Sequence, residues 1–383
     1  MDFALSDDQR MLQAAVRDFC LKEIAPTAER LDSTSTFPGE HLPKLAAMGL
    51  MGMTVPSEWG GAGSDMLSYV LALEELSAAC ASTAVTMSVN NSLYCGPLCR
   101  FATEAQKARY LTSFARGEQL GAYALSEPSC GSDPAALETI AQREGDVYYL
   151  TGRKNFITNG PHADAMIIFT TVDKTRKHKG ITAFIVEKGF EGFAIGKIEK
   201  KLGIRASSTS EVVLDRCRVP VANRLGNEGD GFTIAMHTLD DGRIGIATQA
   251  LGIGRAAYTV ARQYATERYA FGQPIATFQA IQWKLADMAM KLEAGRLLVH
   301  QAAWLADQGH PFVKEAAMAK LFNSEAANWI AKEAVQVLGG FGYLCDFPVE
   351  RYFRDAKITE IYEGTSEIQR LVIARQVLKE LGG

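Results

Sequence analysis

No apolar run in the 383-residue chain is long enough to cross a bilayer, which excludes a helical membrane protein. Also absent is a basic block. Forty Lys and Arg oppose forty-four Asp and Glu, a formal charge of −4, so no segment is built to track nucleic-acid phosphates or an anionic membrane. The six histidines are scattered, with no His-Glu-x-x-His pair and no readable facial triad, so the sequence offers no metal centre. The seven cysteines are odd in number and widely spread. Cys95 and Cys99 have neither a neighbouring histidine nor a second pair to complete a zinc site, and all seven read as reduced thiols, most of them packing residues. No internal repeat or low-complexity linker interrupts the chain, and residues 1–10 are acidic and polar, unlike a signal or transit peptide. The expected location is the bacterial cytoplasm or, if a presequence has been removed, the mitochondrial matrix.

What is present falls into three patterns. Ser6 and Gln9 form a capping box, and Leu12, Val16 and Phe19 make one apolar helix face that stops before Pro26. The pattern stays helical to about residue 119, broken by the Gly-rich turn Trp59-Gly60-Gly61-Ala62-Gly63. Residues 120–225 instead carry short β-branched and aromatic segments such as Val147-Tyr148-Tyr149-Leu150 and Met166-Ile167-Ile168-Phe169, separated by turn residues. After Gly231, long helix-forming stretches resume, with breaks at 272–274, 309–311 and 339–342 that fit four antiparallel helices. The expected fold is α+β, mainly α: an N-terminal helical domain (1–119), a central antiparallel β domain (120–225) and a C-terminal four-helix bundle (226–383).

One carboxylate stands out near the C-terminus. In Ile361-Tyr362-Glu363-Gly364-Thr365-Ser366-Glu367-Ile368-Gln369, Ser366 and Gln369 read as a capping box, which places Glu363 just outside a helix. Such an acid is ordinarily matched to the helix dipole; in a closed site it becomes a proton acceptor. A rival phosphate-binding reading at Gly252-Ile253-Gly254 lacks the third Gly and the preceding strand of a dinucleotide fingerprint.

Two longer blocks decide between these readings. Ala124-Leu125-Ser126-Glu127-Pro128-Ser129-Cys130-Gly131-Ser132-Asp133, and Gln336-Val337-Leu338-Gly339-Gly340-Phe341-Gly342-Tyr343 continuing to Asp355, resemble the two signatures of the acyl-CoA dehydrogenase family. Cys130 departs from the usual small residue. Phe156-Ile157-Thr158-Asn159, Leu239-Asp240-Asp241-Gly242-Arg243 and Arg268-Tyr269-Ala270-Phe271-Gly272 add three joining motifs in order.

The resemblance implies FAD-dependent conversion of a short-chain acyl-CoA to the trans-2-enoyl-CoA. Glu363 would remove the α proton, the flavin N5 would take the β hydride, and electrons would pass to electron-transfer flavoprotein. It further implies that Tyr123, Leu125, Ser126 and Ser132 lie along the flavin, with Phe156, Ile157 and Thr158 on its other side and Thr365 and Glu367 continuing the contact. Phe156 stands where Trp is usual. Arg268 and Phe271 resemble contacts to the cofactor's pyrophosphate and adenine, and Gln279, Gln336, Gly339 and Gly340 look like the matching site, completed across the interface of a homotetramer. Ser132, Asp240, Arg243 and Gly364 would meet the substrate. Without the resemblance, Asp240, Arg243 and Arg268 read as helix-surface charges and 339–342 as a helix terminator.

Some family members, isovaleryl-CoA dehydrogenases among them, place the base on the helix containing residues 239–243, where this chain has Gly242. Ser88-Val89-Asn90-Asn91-Ser92-Leu93-Tyr94 is similar to short-chain butyryl-CoA dehydrogenases, and Ala84 stands where glutaryl-CoA dehydrogenases carry Arg. A branched, cyclic or dicarboxylic acyl group, an oxygen-using oxidase, and a non-catalytic assembly protein on the same fold are the competing expectations.

Overall fold

The computed structural model describes residues 4–380, so the first three residues of the polar 1–10 segment and the last three of the chain lie outside it. The helix Asp7–Phe19 begins at the Ser6–Gln9 capping box, buries Val16, and runs on as π- and 3₁₀-turns through Thr27. The next long helices, Met66–Ala79 and Ala81–Ser88, are buried on nearly every side, which explains why neither shows a one-sided apolar stripe. Ala81–Ser88 then widens into a π-helix at Val89–Cys95.

The middle of the chain is an eight-stranded sheet: β1 (Gly121–Ala124), β2 (Ile140–Glu144), β3 (Val147–Thr158), β4 (Ala165–Thr171), β5 (Ile181–Glu187), β6 (Phe193–Ile198), β7 (Thr209–Pro220) and β8 (Arg224–Leu225). The order is β6-β7-β3-β2-β4-β5-β8, with β1 also against β4. Pairing is antiparallel apart from β1–β4 and the single β2–β4 bridge, which are parallel. β4 and β5 are largely apolar and buried along almost their whole length because both faces are covered. Ile167, Phe169, Ala183 and Ile185 pack against Tyr94, Leu98 and Phe114, while Met166, Ile168, Phe184 and Val186 pack against Tyr148, Leu150 and Val212.

Long helices follow at Gly231–Glu267, Gln279–Asp307, Val313–Leu338 and Ser366–Glu380, with the short Val349–Ala356 between the last two. The 231–267 helix has 37 residues and joins two cores. Ile244 and Ala247 pack into the N-terminal helices, whereas Ala250, Ile253 and Ala257 pack against Ile330 and Ala334. Gly252 lies where this helix crosses Met66–Ala79, since a Cβ there would come within 2.6 Å of the Glu74 carbonyl. The Gly252-Ile253-Gly254 stretch is therefore a helix crossing and not a phosphate loop.

Candidate active site

Glu363 projects from the turn that precedes the last helix, in a left-handed backbone conformation (φ 53°) followed by Gly364 at φ 95°. A non-glycine residue in this region is strained and needs external fixation. The fixation is visible. Gln369 Nε2 donates to the carbonyls of Glu363 (3.2 Å) and Gly364 (2.9 Å), and the Lys320 ammonium donates to the Gly364 carbonyl at 2.6 Å. The cap itself differs from the sequence expectation. Thr365, not Ser366, caps the helix, its hydroxyl accepting from the Ile368 N–H at 3.3 Å, and Gln369 bonds backwards to carbonyls.

The carboxyl group of Glu363 lies on Gly242 of the 231–267 helix, with Leu93 alongside. Its Oε2 is shielded from solvent and has no hydrogen-bond donor among the described residues. Burial pushes its pKa up to about 7, while the charges of Lys320 and Arg243 pull the other way. Burial also pushes Tyr123 and Tyr362 upward, and the Glu363 charge adds to both shifts. Tyr362 is held by a hydrogen bond to Gln249, which in turn donates to the Ala81 carbonyl at 2.9 Å. Among the described residues the Glu363 N–H has no acceptor.

Arg243 is buried, with an ion pair to Asp240 and an Nε that has no acceptor among the described residues. The helix-surface reading of these two residues therefore does not hold. Asp241 beside them is held near pKa 6 by burial, with Arg100 at 3.7 Å opposing the shift.

The segment that follows β1 is tied to β3. The Asn155 N–H donates to the Ser126 carbonyl at 2.9 Å, and Lys154 Nζ reaches the Leu125 carbonyl at 3.3 Å and the Glu127 carboxylate at 2.6 Å. The β3–β7 register slips between Lys154 and Ile157, and Phe156 sits in that bulge at φ 62° with 65% of its surface exposed. Ile157 is buried, and Thr158 pairs with Thr209. Beyond them Asn159 donates to the carbonyls of Thr86 (3.1 Å) and Gly121 (3.2 Å), locking this strand end to both the helical domain and β1. Cys130 turns inward into the core, and its backbone bonds reciprocally to Glu127. Ser132 is exposed at the far end of the same loop.

A second group lies apart from Glu363. Arg268, Gly339 and Gly340 border a cavity of about 430 Å³, with the Arg268 guanidinium 5.6 Å over the Phe341 ring. Phe271 and Gly272 form the tip of a two-residue hairpin between Tyr269–Ala270 and Gln273–Pro274, with φ of 53° and 82°. Gln279 and Gln336 are exposed nearby in the chain but do not border that cavity, and Glu367 is exposed on the last helix.

Residues that sequence reasoning passed over include Lys320, Gln249, Lys154 and the role of Gln369. Lys320 carried a signal: it is the one charge in Ala316-Ala317-Met318-Ala319-Lys320, four residues before Ser324 on an otherwise small and apolar stripe.

Three family models match in succession: the acyl-CoA dehydrogenase N-terminal domain over residues 6–118, the middle domain over 122–217 and the C-terminal domain over 229–378. The chain belongs to the acyl-CoA dehydrogenase family. It is thus an oxidoreductase, and FAD is the cofactor of this family. The mitochondrial short-chain specific acyl-CoA dehydrogenase of Rattus norvegicus is 52% identical over 375 residues, covering 98% of this chain and 91% of the relative. The short-chain specific enzyme of Clostridium acetobutylicum is 50% identical over 379 residues, covering 99% and 100%. The structure of butyryl-CoA dehydrogenase from Megasphaera elsdenii superposes with a TM-score of 0.97 at 46% identity, covering 99% and 100%. A chain in the structure reported for the electron transferring flavoprotein of Acidaminococcus fermentans gives 0.97 at 48%, with the same coverage. Relatives are thus both mitochondrial and bacterial, and among the described residues no helix is long and apolar enough to cross a membrane.

Proposed function

We propose that this protein oxidises a short-chain acyl-CoA thioester to its trans-2-enoyl-CoA, with Glu363 as the base. The observation that carries the reading is the buried Glu363 carboxyl, raised by burial to a pKa of about 7 and with an oxygen that has no hydrogen-bond partner among the described residues. A carboxylate in water is a weak base toward an α C–H; one whose pKa lies near the working pH accepts the proton more effectively. The strained turn presents the carboxyl, and Gln369 and Lys320 hold the turn by its carbonyls. The free N–H of Glu363 is a donor for the thioester oxygen as negative charge builds there.

The residues fit FAD. Phe156 offers an exposed apolar ring, the Ser126 loop is pinned beside it, and Tyr123 Oη and Asn155 Oδ1 are buried polar atoms with no partner among the described residues. Tyr123, Leu125, Ser126, Ser132, Phe156, Ile157, Thr158, Thr365 and Glu367 would hold the ring portion, and Arg268, Phe271, Gln279, Gln336, Gly339 and Gly340 the nucleotide portion, across a subunit interface. When bound, FAD supplies the acceptor for the β hydride. Arg243 and Asp240, with Ser132 and Gly364, would meet the CoA ester. The relatives' short-chain specificity supports a substrate such as butyryl-CoA, and Ala84, buried in the apolar core, gives a distal carboxylate no partner there. Electron-transfer flavoprotein is the proposed acceptor, a homotetramer the proposed assembly, and cytoplasm or mitochondrial matrix the proposed location.

Changing Glu363→Gln is expected to leave FAD bound and abolish anaerobic bleaching of the flavin by butyryl-CoA. Rapid bleaching by that variant would move the base elsewhere.

A further inference from the structure

Lys320 is a fully buried lysine, 0% exposed, in the interior of the Val313–Leu338 helix. Burying an ammonium is unfavourable unless charge and hydrogen bonds compensate, so its position calls for a reason beyond packing. Its Nζ donates to the Gly364 carbonyl at 2.6 Å. Four residues on, Ser324 Oγ donates to the Thr359 carbonyl at 2.8 Å, and four further on, Asn328 Nδ2 donates to the Ala356 carbonyl at 3.0 Å. Spacing of four puts all three side chains on one helix face, which thus grips the 356–364 segment at three points, the last of them beside Glu363.

We propose that Lys320 is a positioning residue for proton abstraction: its ammonium fixes the left-handed Glu363–Gly364 turn through the Gly364 carbonyl, and that bond holds a buried positive charge one residue from Glu363. The proposal rests on the reading of Glu363 as the base. A carbonyl anchor on the residue next to Glu363 restricts the backbone that aims the carboxyl, and small misplacements at this distance from the reacting atoms are costly in rate. The counter-charge acts on the titration as well. The cations acting on Glu363 are Lys320 from the 313–338 helix and Arg243 from the 231–267 helix. The phenols near it are Tyr69, Tyr123 and Tyr362, all raised by burial. Lys320 itself is lowered to about 8 by burial, an effect opposed first by Glu363 and also by Glu360 and Glu367, and reinforced by Arg243.

The test compares Lys320→Met, which keeps length and loses donor and charge, with Lys320→Gln, which keeps a donor and loses charge. Flavin bleaching by butyryl-CoA is followed by anaerobic stopped flow across pH. The Glu363 carboxyl is titrated separately by infrared difference spectroscopy, with Glu363→Gln as the subtraction control. Removing the cation raises the carboxyl pKa, so in both variants the acidic limb and the infrared midpoint move up by about one pH unit. The limiting rate falls roughly tenfold to a hundredfold in Lys320→Met and less in Lys320→Gln. A merely structural lysine would lower FAD content or Tm and leave the limb and midpoint where they are, and that outcome in both variants overturns the proposal. If Lys320→Met does not fold, the Lys320→Gln midpoint decides alone. Normal bleaching by Glu363→Gln sinks the base assignment; an inert Glu363→Gln beside unmoved Lys320 variants sinks only this inference.

Discussion

A Cβ placed on Gly242 would fall 2.1 Å from Oε2 of Glu363 and 3.0 Å from Leu93 Cδ2, so the side chain missing from the 231–267 helix is the space that the Glu363 carboxyl fills. The helix position that carries the base in some family members and the C-terminal turn that carries it in others address one point in this chain. Only one carboxyl fits there. Gly242→Ala should therefore displace the carboxyl from that point. The rate of flavin reduction by butyryl-CoA is expected to drop roughly a hundredfold with FAD content unchanged, as measured by stopped-flow absorbance. An unaltered rate would show that the contact has no part in aiming Glu363.

The raised pKa of Glu363 has two consequences of opposite character. With Glu363 as the proposed base, catalysis requires its ionised form, so the reduction rate of the free enzyme should climb with pH and level off above about 7. For stability, the folded state holds this proton more tightly than the unfolded chain. The folded protein gains from protonation below the unfolded value, and that gain is lost as pH rises from about 4.5 through about 7. Glu363→Gln removes the titration. The variant's Tm relative to the parent protein should increase between pH 5 and pH 8, and a pH-independent difference would contradict the buried carboxyl.

Lys154 and Glu127 form an ion pair with side chains 0% and 2% exposed, 2.6 Å apart, and Glu127 also accepts from the N–H groups of Glu138 (2.6 Å) and Thr139 (3.0 Å). This pair ties the Leu125–Glu127 backbone to β3 one residue before the Asn155–Phe156 bulge. Removing one partner strands a buried charge, at a cost of about 3–5 kcal/mol. Lys154→Met should lower Tm and release FAD on gel filtration, whereas Lys154→Met with Glu127→Gln should recover part of the loss. Equal losses in the single and double variants would count against pair coupling.

The fold was legible where a segment's own chemistry decides its state. β4 and β5 announce themselves as β-branched and aromatic runs, and the Ser6–Gln9 box forms as written. The parallel β1–β4 and β2–β4 pairings depend on contacts remote in sequence, and nothing local encodes them. The π-helix at Val89–Cys95 was hidden for a different reason. Asn90 and Asn91 look like turn residues, yet both are buried, with Asn90 bonded to Met51, Phe114 and Gly121 and Asn91 to Leu50, Met53 and Met87. At the site, Glu363 stood out in its motif as the candidate base, but its left-handed backbone, like that of Phe156, did not, because neither residue type favours positive φ. The cap shifted by one residue, from Ser366 to Thr365, because adjacent hydroxyls are equivalent on paper.

Phe271 gives the assembly its sharpest test. It occupies a hairpin tip at φ 53° and is 95% exposed, an arrangement that places an apolar ring in water at a strained backbone position. Neither feature benefits an isolated chain, since an exposed ring gains nothing from burial and a non-glycine residue at positive φ is penalised. Both are explained if the ring inserts into a second copy at the nucleotide end of the cofactor site, near the cavity bordered by Arg268, Gly339 and Gly340. Phe271→Asp should then lower the molecular mass seen by light scattering from that of a tetramer. It should also weaken FAD retention at least tenfold while leaving far-ultraviolet circular dichroism intact, because a carboxylate buried unpaired in an interface costs several kcal/mol. Phe271→Gly, which relieves the backbone and removes only the ring, should reduce retention less. A Phe271→Asp protein that stays tetrameric and keeps its flavin would place the hairpin outside the interface.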